Sequence, residues 1–156
     1  MPPEDRFWSK VNKTGDCWLW TASKDWHGYG SFAIDRTMCR AHRVAYIWAN
    51  GPIPDGLTLD HMCGNRACVN PDHLRAITNT QNHQNRQGAD IDNASGVRGV
   101  SWSVASKKWQ AKAELNGKQH FLGLFTEIAA AEAVVSEWRR INMPYSLMDQ
   151  RPAGRE

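Results

Sequence analysis

The sequence predicts an α+β protein of two small modules: a first one tied together by a metal ion, and a three-stranded antiparallel sheet packed on one helix. Three observations lead there. Cys63, Cys68 and His73 stand at metal-ligand spacing. Asn116-Gly117 separates two strand-like runs, and an amphipathic helix follows them. The stretch 87–96 between these features is polar, small and without apolar periodicity, as a linker is. The reading therefore divides the chain into a domain at 1–87, a linker at 88–96, a second domain at 97–143 and a tail at 144–156.

Composition limits the function classes. Hydrophobic residues make up 41 % of the 156 positions and charged ones 22 %, which allows a packed core and excludes a disordered polyelectrolyte. Nineteen Lys and Arg against 16 Asp and Glu leave a net charge of +3, too mild to signal nucleic acid by itself. The basic character is local: 98–118 holds five cations and the single acid Glu114. No apolar run approaches the roughly 18 residues of a membrane span. The start Met1-Pro2-Pro3-Glu4-Asp5-Arg6 lacks a secretory pattern, so a cytoplasmic protein with no membrane partner is expected. Four cysteines in a reducing compartment point to metal before disulfide. The eight tryptophans suit a small aromatic core or contact with nucleic acid.

In the first module, 4–13 reads as a short helix that places Phe7, Trp8 and Val11 together. Residues 17–20 and 29–34 read as strands by aromatic and apolar alternation. A helix over 41–50 ends at Gly51 with Pro52 beyond it, and 57–61 is a short strand. Asn70-Pro71-Asp72 carries a cap residue, a proline at the first helical position and an acid in the first turn, a helix start. Thr78-Asn79-Thr80-Gln81 has capping-box spacing for a helix over 79–86. In the second module, 99–103, 108–115 and 118–125 are strands. Thr126 caps a helix over 127–142 with apolar Ile128, Ala131, Val134, Val135, Trp138 and Ile141.

Cys63, Cys68 and His73 supply three ligands, and tetrahedral zinc takes four. Cys17 and Cys39 are the candidates for the fourth. Such a staple suits a domain with little core, because its binding energy becomes folding energy.

The segment Leu59-Asp60-His61-Met62-Cys63 through Val69-Asn70-Pro71-Asp72-His73-Leu74 to Asn82 resembles the HNH endonucleases of bacteriophages. Its His-x-Cys-x4-Cys-x4-His order is similar to the His-Cys box homing endonucleases, and both groups are ββα-metal nucleases. Cys17-Trp18-Leu19-Trp20, Gly28-Tyr29-Gly30 and Ala41-His42-Arg43 match the phage pattern as well, so the resemblance covers roughly 15–86. It implies a ββα-metal nuclease with His61 as general base, and with Asp60 and Asn82 holding a catalytic divalent ion, Mg²⁺. It implies a structural Asn70, which agrees with the cap reading, and an Arg43 that contacts the phosphate or leaving group. His73, a catalytic-metal ligand in many such enzymes, is expected on zinc here beside Cys63 and Cys68. Cys17 is the favoured fourth ligand, because the His-Cys box enzymes also draw a cysteine from a distant upstream strand. The host cytoplasm is the setting implied for a phage-encoded chain.

On the strand 108–115, alternation separates Lys108, Gln110, Lys112 and Glu114 from Trp109, Ala111, Ala113 and Leu115. A helix over the second set leaves a basic face open. Arg98-Gly99-Val100, Trp102, Lys108-Trp109, Ala111 and Phe121-Leu122-Gly123-Leu124-Phe125 resemble the AP2 DNA-binding domain over about 96–142. That resemblance implies a double-stranded DNA partner met by Arg98, Ser101, Lys108, Gln110, Lys112, Glu114, Lys118, Gln119 and Phe121. Several arginines with which plant AP2 domains read bases are missing here.

The leading expectation is a metal-dependent DNA endonuclease, similar to homing endonucleases and targeted by an AP2-like domain. The alternative is a non-catalytic, zinc-scaffolded DNA-binding protein, against which the joint presence of Asp60, His61 and Asn82 speaks. RNA as the substrate stays open, as does a homodimer, which two-strand cleavage would need. Homing, packaging and restriction are not separated by the residues.

Overall fold

A computed structural model describes residues 1–86 and 88–150. The chain forms two compact units, the first over Met1–Asn79 and the second from Thr80 onward. Position 87 and residues 151–156, the end of the tail expected at 144–156, lie outside the described residues. No helix among the described residues is long and apolar enough to cross a membrane.

The first unit is built around Phe7. Helix α1 (Pro3–Trp8) starts on a proline, with Glu4 and Asp5 in its first turn. It is shorter than the expected 4–13, and strand β1 (Val11–Asn12) takes up the rest. Phe7 is fully buried, with Trp8, Trp20, Phe32 and Trp48 at ring separations of 4.8, 4.9, 5.0 and 5.2 Å. Edge-to-face rings of this kind account for much of the tryptophan load. Strand β2 (Leu19–Trp20) pairs with β1. A Cβ on Gly30 would stand 2.6 Å from the Trp20 ring, so only glycine fits there.

Strands β3 (Ser31–Ile34) and β4 (Thr37–Arg40) form a hairpin that the sequence did not announce. Its turn residues Asp35 and Arg36 adopt φ of +47° and +66° with neither glycine nor asparagine. Helix α2 (Ala41–Asn50) has the expected bounds and stops at Gly51, φ +84°, whose N–H donates to the Ile47 carbonyl. It buries Ala41, Val44 and Ala45.

Strand β5 (Thr58–His61) pairs antiparallel with β6 (Leu74–Ile77), bringing Asp60 opposite Arg75 and His61 opposite Leu74. The expected helix at Asn70 is a single 3-10 turn, Pro71–His73. The Asn70 cap satisfies that turn, and the apolar Leu74 and Ile77 then run on as a strand. Helix α3 (Asn79–Gln84) stops two residues before the expected 86.

In the second unit, β7 (Val100–Ser103), β8 (Lys108–Leu115) and β9 (Lys118–Phe125) form an antiparallel sheet in that order. Asn116 and Gly117, at φ +53° and +74°, make the β8–β9 turn. A register shift beside Ala111 and Lys112 leaves Leu122 as an extra residue in β9. Helix α4 (Ile128–Asn142) covers one face, and the core is Val100, Ala111, Ala113, Ala131 and Val135. The cap position is Glu127 rather than Thr126, without a side-chain cap. Val134 and Ile141, expected inside, are exposed, because small alanines let α4 approach the sheet along a narrow stripe. A last turn, α5 (Leu147–Gln150), follows.

Candidate metal centre and active site

A short pairing brings the distant upstream cysteine to the other ligands. The Trp20 N–H donates to the Ala67 carbonyl at 2.9 Å, and the Val69 N–H to the Trp18 carbonyl at 2.8 Å. This seats Cys17 beside Cys68. Asn70 secures the same corner: its Oδ1 accepts from the Asp72 N–H at 3.1 Å, and its Nδ2 donates to the Asp16 carbonyl at 2.9 Å. At the other end, Gly64, φ +74°, turns the chain after Cys63.

Cys17, Cys63, Cys68 and His73 converge with their ligand atoms within 4.8 Å of one another. His73 Nδ1 lies 3.6 Å from both the Cys17 and the Cys68 sulfurs. Tetrahedral zinc, with bonds of about 2.3 Å to sulfur and 2.05 Å to nitrogen, separates such a pair by about 3.6 Å. The group can hold a metal ion, and its donor set and spacing suit structural zinc. The Asn70 N–H points at the Cys68 sulfur at 3.4 Å. The Cys63 thiol is pulled down, above all by its hydrogen bond with Cys68; Cys68 is pushed up by that bond and by burial, and Cys17 by burial. Cys39 lies on β4 outside this group, with its sulfur 3.8 Å from the Thr37 carbonyl.

His61 ends β5 and is buried. Its Nε2 lies 3.0 Å from the Cys68 carbonyl. A carbonyl only accepts, so Nε2 carries the proton and Nδ1 is the basic nitrogen. Burial lowers the His61 pKa, partly opposed by the Cys68 carbonyl. Asp60 is also buried, and its Oδ2 accepts from Arg75 Nε and Nη2, both at 2.8 Å.

The residue of α2 that meets His61 is His42, which the sequence showed only as part of Ala41-His42-Arg43. Its ring lies 4.8 Å from His61 and 5.2 Å from Tyr29. Burial first, then His61, push its pKa down to about 3, so it is neutral. Arg43 is exposed and lines an apolar groove with Met38, Ile47 and Trp48, on the hairpin side of α2. The cations near His61 are others: Arg40 lies 4.5 Å and Arg66 5.7 Å from the Tyr29 ring centre, and Tyr29 is 5.9 Å from His61. Beside them Trp26, 89 % exposed, lies against His27 at 3.4 Å. The signal was the Asp25 turn, whose Oδ1 accepts from the His27 and Tyr29 N–H groups at 3.0 Å ahead of Gly28.

In the second unit, α3 carries Asn82. The registers put Ser101, Gln110 and Leu124 on the face away from α4, with Lys112 opposite Phe121 and Glu114 opposite Gln119. Lys108, Ser101, Glu114, Gln119 and Phe121 are exposed, and Lys112 and Gln110 half-buried. Two of the expected DNA contacts stand elsewhere. Lys118 pairs with Leu115, on the helix side of the sheet. Arg98 donates to the carbonyls of His83, Gln84 and Arg86 at 3.3, 3.0 and 2.7 Å, so its guanidinium is engaged by the chain itself.

The fold and site define a zinc-type Cys3His module with a buried histidine at a strand end, and this is where the likeness to known proteins falls. Residues 39–84, from β4 to the end of α3, match the model of a family described as HNH endonuclease. Among curated relatives, Protein 3.8 of Escherichia phage T7 is 37 % identical over 81 residues, 52 % of this chain and 66 % of that one. Protein 7.7 of the same phage is 33 % identical over 69 residues, 44 % and 53 % of the two chains. The uncharacterized gene 5.3 protein of Enterobacteria phage T3 is 50 % identical over 36 residues, 23 % and 36 %. The matches thus span between about a third and two thirds of these relatives' lengths. No solved structure matches the chain.

Proposed function

We propose that this protein is a metal-dependent DNA endonuclease of the HNH kind, similar to the homing endonucleases, with His61 as its general base. The observation that carries this reading is the His61 ring, buried within the segment that matches the HNH endonuclease family and donating through Nε2 to the Cys68 carbonyl. That bond fixes the tautomer and aims Nδ1 as the proton acceptor for a water attacking phosphorus. Burial keeps the ring neutral before the reaction, and the Cys68 carbonyl steadies the imidazolium afterwards. Neutral His42 packs against the ring without adding a like charge.

Asp60 and Asn82 are hard oxygen donors of the kind Mg²⁺ takes, and the family resemblance gives both this role. A divalent ion held by such donors would supply charge neutralisation in phosphodiester hydrolysis. Arg40 and Arg66 hold the phosphate backbone, the role that the sequence had suggested for Arg43. Structural zinc on Cys17, Cys63, Cys68 and His73 keeps Cys68, and with it the carbonyl that orients His61, in place. Cleavage leaves 5′-phosphate and 3′-hydroxyl, as in the family.

The sheet of the second unit holds double-stranded DNA in the manner of AP2 domains. Lys108 and Lys112 meet phosphates, Gln110 and Glu114 reach base edges, and Ser101, Gln119 and Phe121 line the same face. Tethering this sheet to the nuclease raises the effective concentration of DNA at the catalytic residues.

The test is Mg²⁺-dependent cleavage of supercoiled plasmid by the wild type and by His61→Ala at equal zinc content. Nicking or linearisation by the wild type alone is expected. Equal cleavage by both removes His61 from the mechanism. Binding without cleavage by either makes the protein a zinc-scaffolded DNA binder.

A further inference from the structure

Helix α3 has six residues, Asn-Thr-Gln-Asn-His-Gln, and none of them is buried. A helix this short is not stable alone in water, and this one has no apolar face to dock. Yet it carries Asn82, and a metal ligand must be held to within about 0.5 Å. Its anchoring therefore has to come from polar contacts with the chain around it.

That anchoring is visible at its C-terminal end. The Arg98 guanidinium donates through Nη1 to the carbonyls of Gln84 at 3.0 Å and Arg86 at 2.7 Å, and through Nη2 to that of His83 at 3.3 Å. The last carbonyls of a helix lack partners within it, and a cation there complements the helix dipole. A planar fork with fixed donors meets several of them at once, which an ammonium does not. Arg98 is itself held. Its carbonyl accepts from Arg139 Nη1 at 2.7 Å, and buried Arg139 grips both oxygens of Asp149 at 2.9 Å. Ser146 donates to the same carboxylate. The start of α5 and the chain before it add two more bonds: the Leu147 N–H to Asn85 Oδ1 at 3.0 Å and the Tyr145 N–H to Gln84 Oε1 at 3.4 Å.

We infer that Arg98 is a positioning residue that fixes α3, and through it Asn82, to the sheet-and-helix unit. This inference rests on the nuclease reading for the role of Asn82. The family match runs to Gln84, while the second compact unit begins at Thr80. Residues 80–84 of the family match thus belong to the second unit. The residue expected on a DNA phosphate instead holds the helix that carries Asn82.

The test uses the full zinc-loaded chain as wild type, Arg98→Ala and Arg98→Lys. Three quantities are read: backbone hydrogen exchange over 82–86, affinity for a duplex in the absence of Mg²⁺, and the Mg²⁺ concentration for half-maximal plasmid nicking. Arg98→Lys keeps the charge, so a phosphate contact would survive it and a three-carbonyl cap would not. Both variants are expected to exchange faster over 82–86 and to need about tenfold more Mg²⁺, with duplex affinity unchanged; outer-shell changes at metal sites cost about 10–100-fold. Unchanged exchange together with weakened duplex binding in Arg98→Ala, restored by Arg98→Lys, overturns the inference. A wild type that does not cut defeats the nuclease reading and with it the role at Asn82. The exchange arm then still decides whether Arg98 holds α3.

Discussion

Removing the metal from the Cys3His group is expected to unfold the first unit and leave the second standing. The buried cluster of the first unit is Phe7, Trp20, Phe32, Ala41, Val44, Ala45 and Val69. From the whole metal-binding segment between β5 and β6, this cluster takes only Val69, so the loop carrying Cys63, Cys68 and His73 adds little apolar burial to the core. A core in a module of about 80 residues or fewer rarely supplies more than about 3–5 kcal/mol. Zinc bound by such ligands contributes roughly 10–16 kcal/mol of apparent free energy near neutral pH. The loss exceeds what the core can offset, and each kcal/mol lowers the midpoint of a small domain by about 4–8 °C. The zinc-free unit should therefore be unfolded at room temperature. Near-UV circular dichroism reads this directly, since Trp8, Trp18, Trp20, Trp26 and Trp48 belong to the first unit. Chelation should abolish their signal and leave one remaining thermal transition, that of the second unit; zinc should restore both. Cys17→Ala should lower the zinc affinity and the first transition, while Cys39→Ala should change neither. A near-UV spectrum that survives complete removal of zinc would refute the reasoning and leave the three thiols without a structural role as ligands.

Three further outcomes are expected. Burial pushes the Asp149 carboxyl up, but hydrogen bonds from Arg139 and Ser146 outweigh it and hold the pKa below the usual carboxylate range. Its contribution to stability is therefore present above the unfolded pKa and lost as pH falls through the folded one. Melting of the second unit from pH 6 to pH 3 should show this, with Asp149→Asn flattening the acid end. Gly99→Ala would place a Cβ 2.4 Å from the Lys112 backbone oxygen and 2.9 Å from Val135, at φ +84°; overpacking of this kind costs about 1–3 kcal/mol, and denaturant titration of the second unit should find at least that loss. Arg66→Ala should weaken DNA binding and reduce the salt dependence by about one phosphate contact, whereas Arg43→Ala should alter neither, as binding isotherms at several salt concentrations will show.

What could be read in advance follows a physical line. Helix α2 was legible because its apolar spacing and its Gly51 stop are both local signals. The β8–β9 hairpin was legible because Asn116-Gly117 favours the left-handed conformations that its turn requires. The convergence of Cys17, Cys63, Cys68 and His73 was legible because three of them lie close together in sequence. The turn at Asp35 and Arg36 was not, since their left-handed conformations are imposed by the strands on either side rather than preferred by the residues. Strand β6 was hidden behind a helix start that satisfies only one turn. Arg98 was placed on DNA by the resemblance that Arg98-Gly99-Val100 carries, whereas its partners in the structure, the carbonyls of His83, Gln84 and Arg86, carry no side-chain signature. His42 was passed over for a similar reason, as its place against His61 is set by the packing of α2 and not by any spacing.

The pairing of the Trp18 segment with 67–69 has a consequence for the newborn chain. Cys17 leaves the ribosome 56 residues ahead of His73, which at ordinary synthesis rates of about 5–20 residues per second is about 3–11 s. For that interval its thiol has no site to join. Cys63, Cys68 and His73 then emerge almost together and can seize an ion before Cys17 returns to it. A zinc ion taken up at that point would find three ligands close together in sequence and a fourth, Cys17, still to be brought in from upstream. A cell short of zinc, or rich in oxidant, would act on the protein during those seconds rather than after folding is complete.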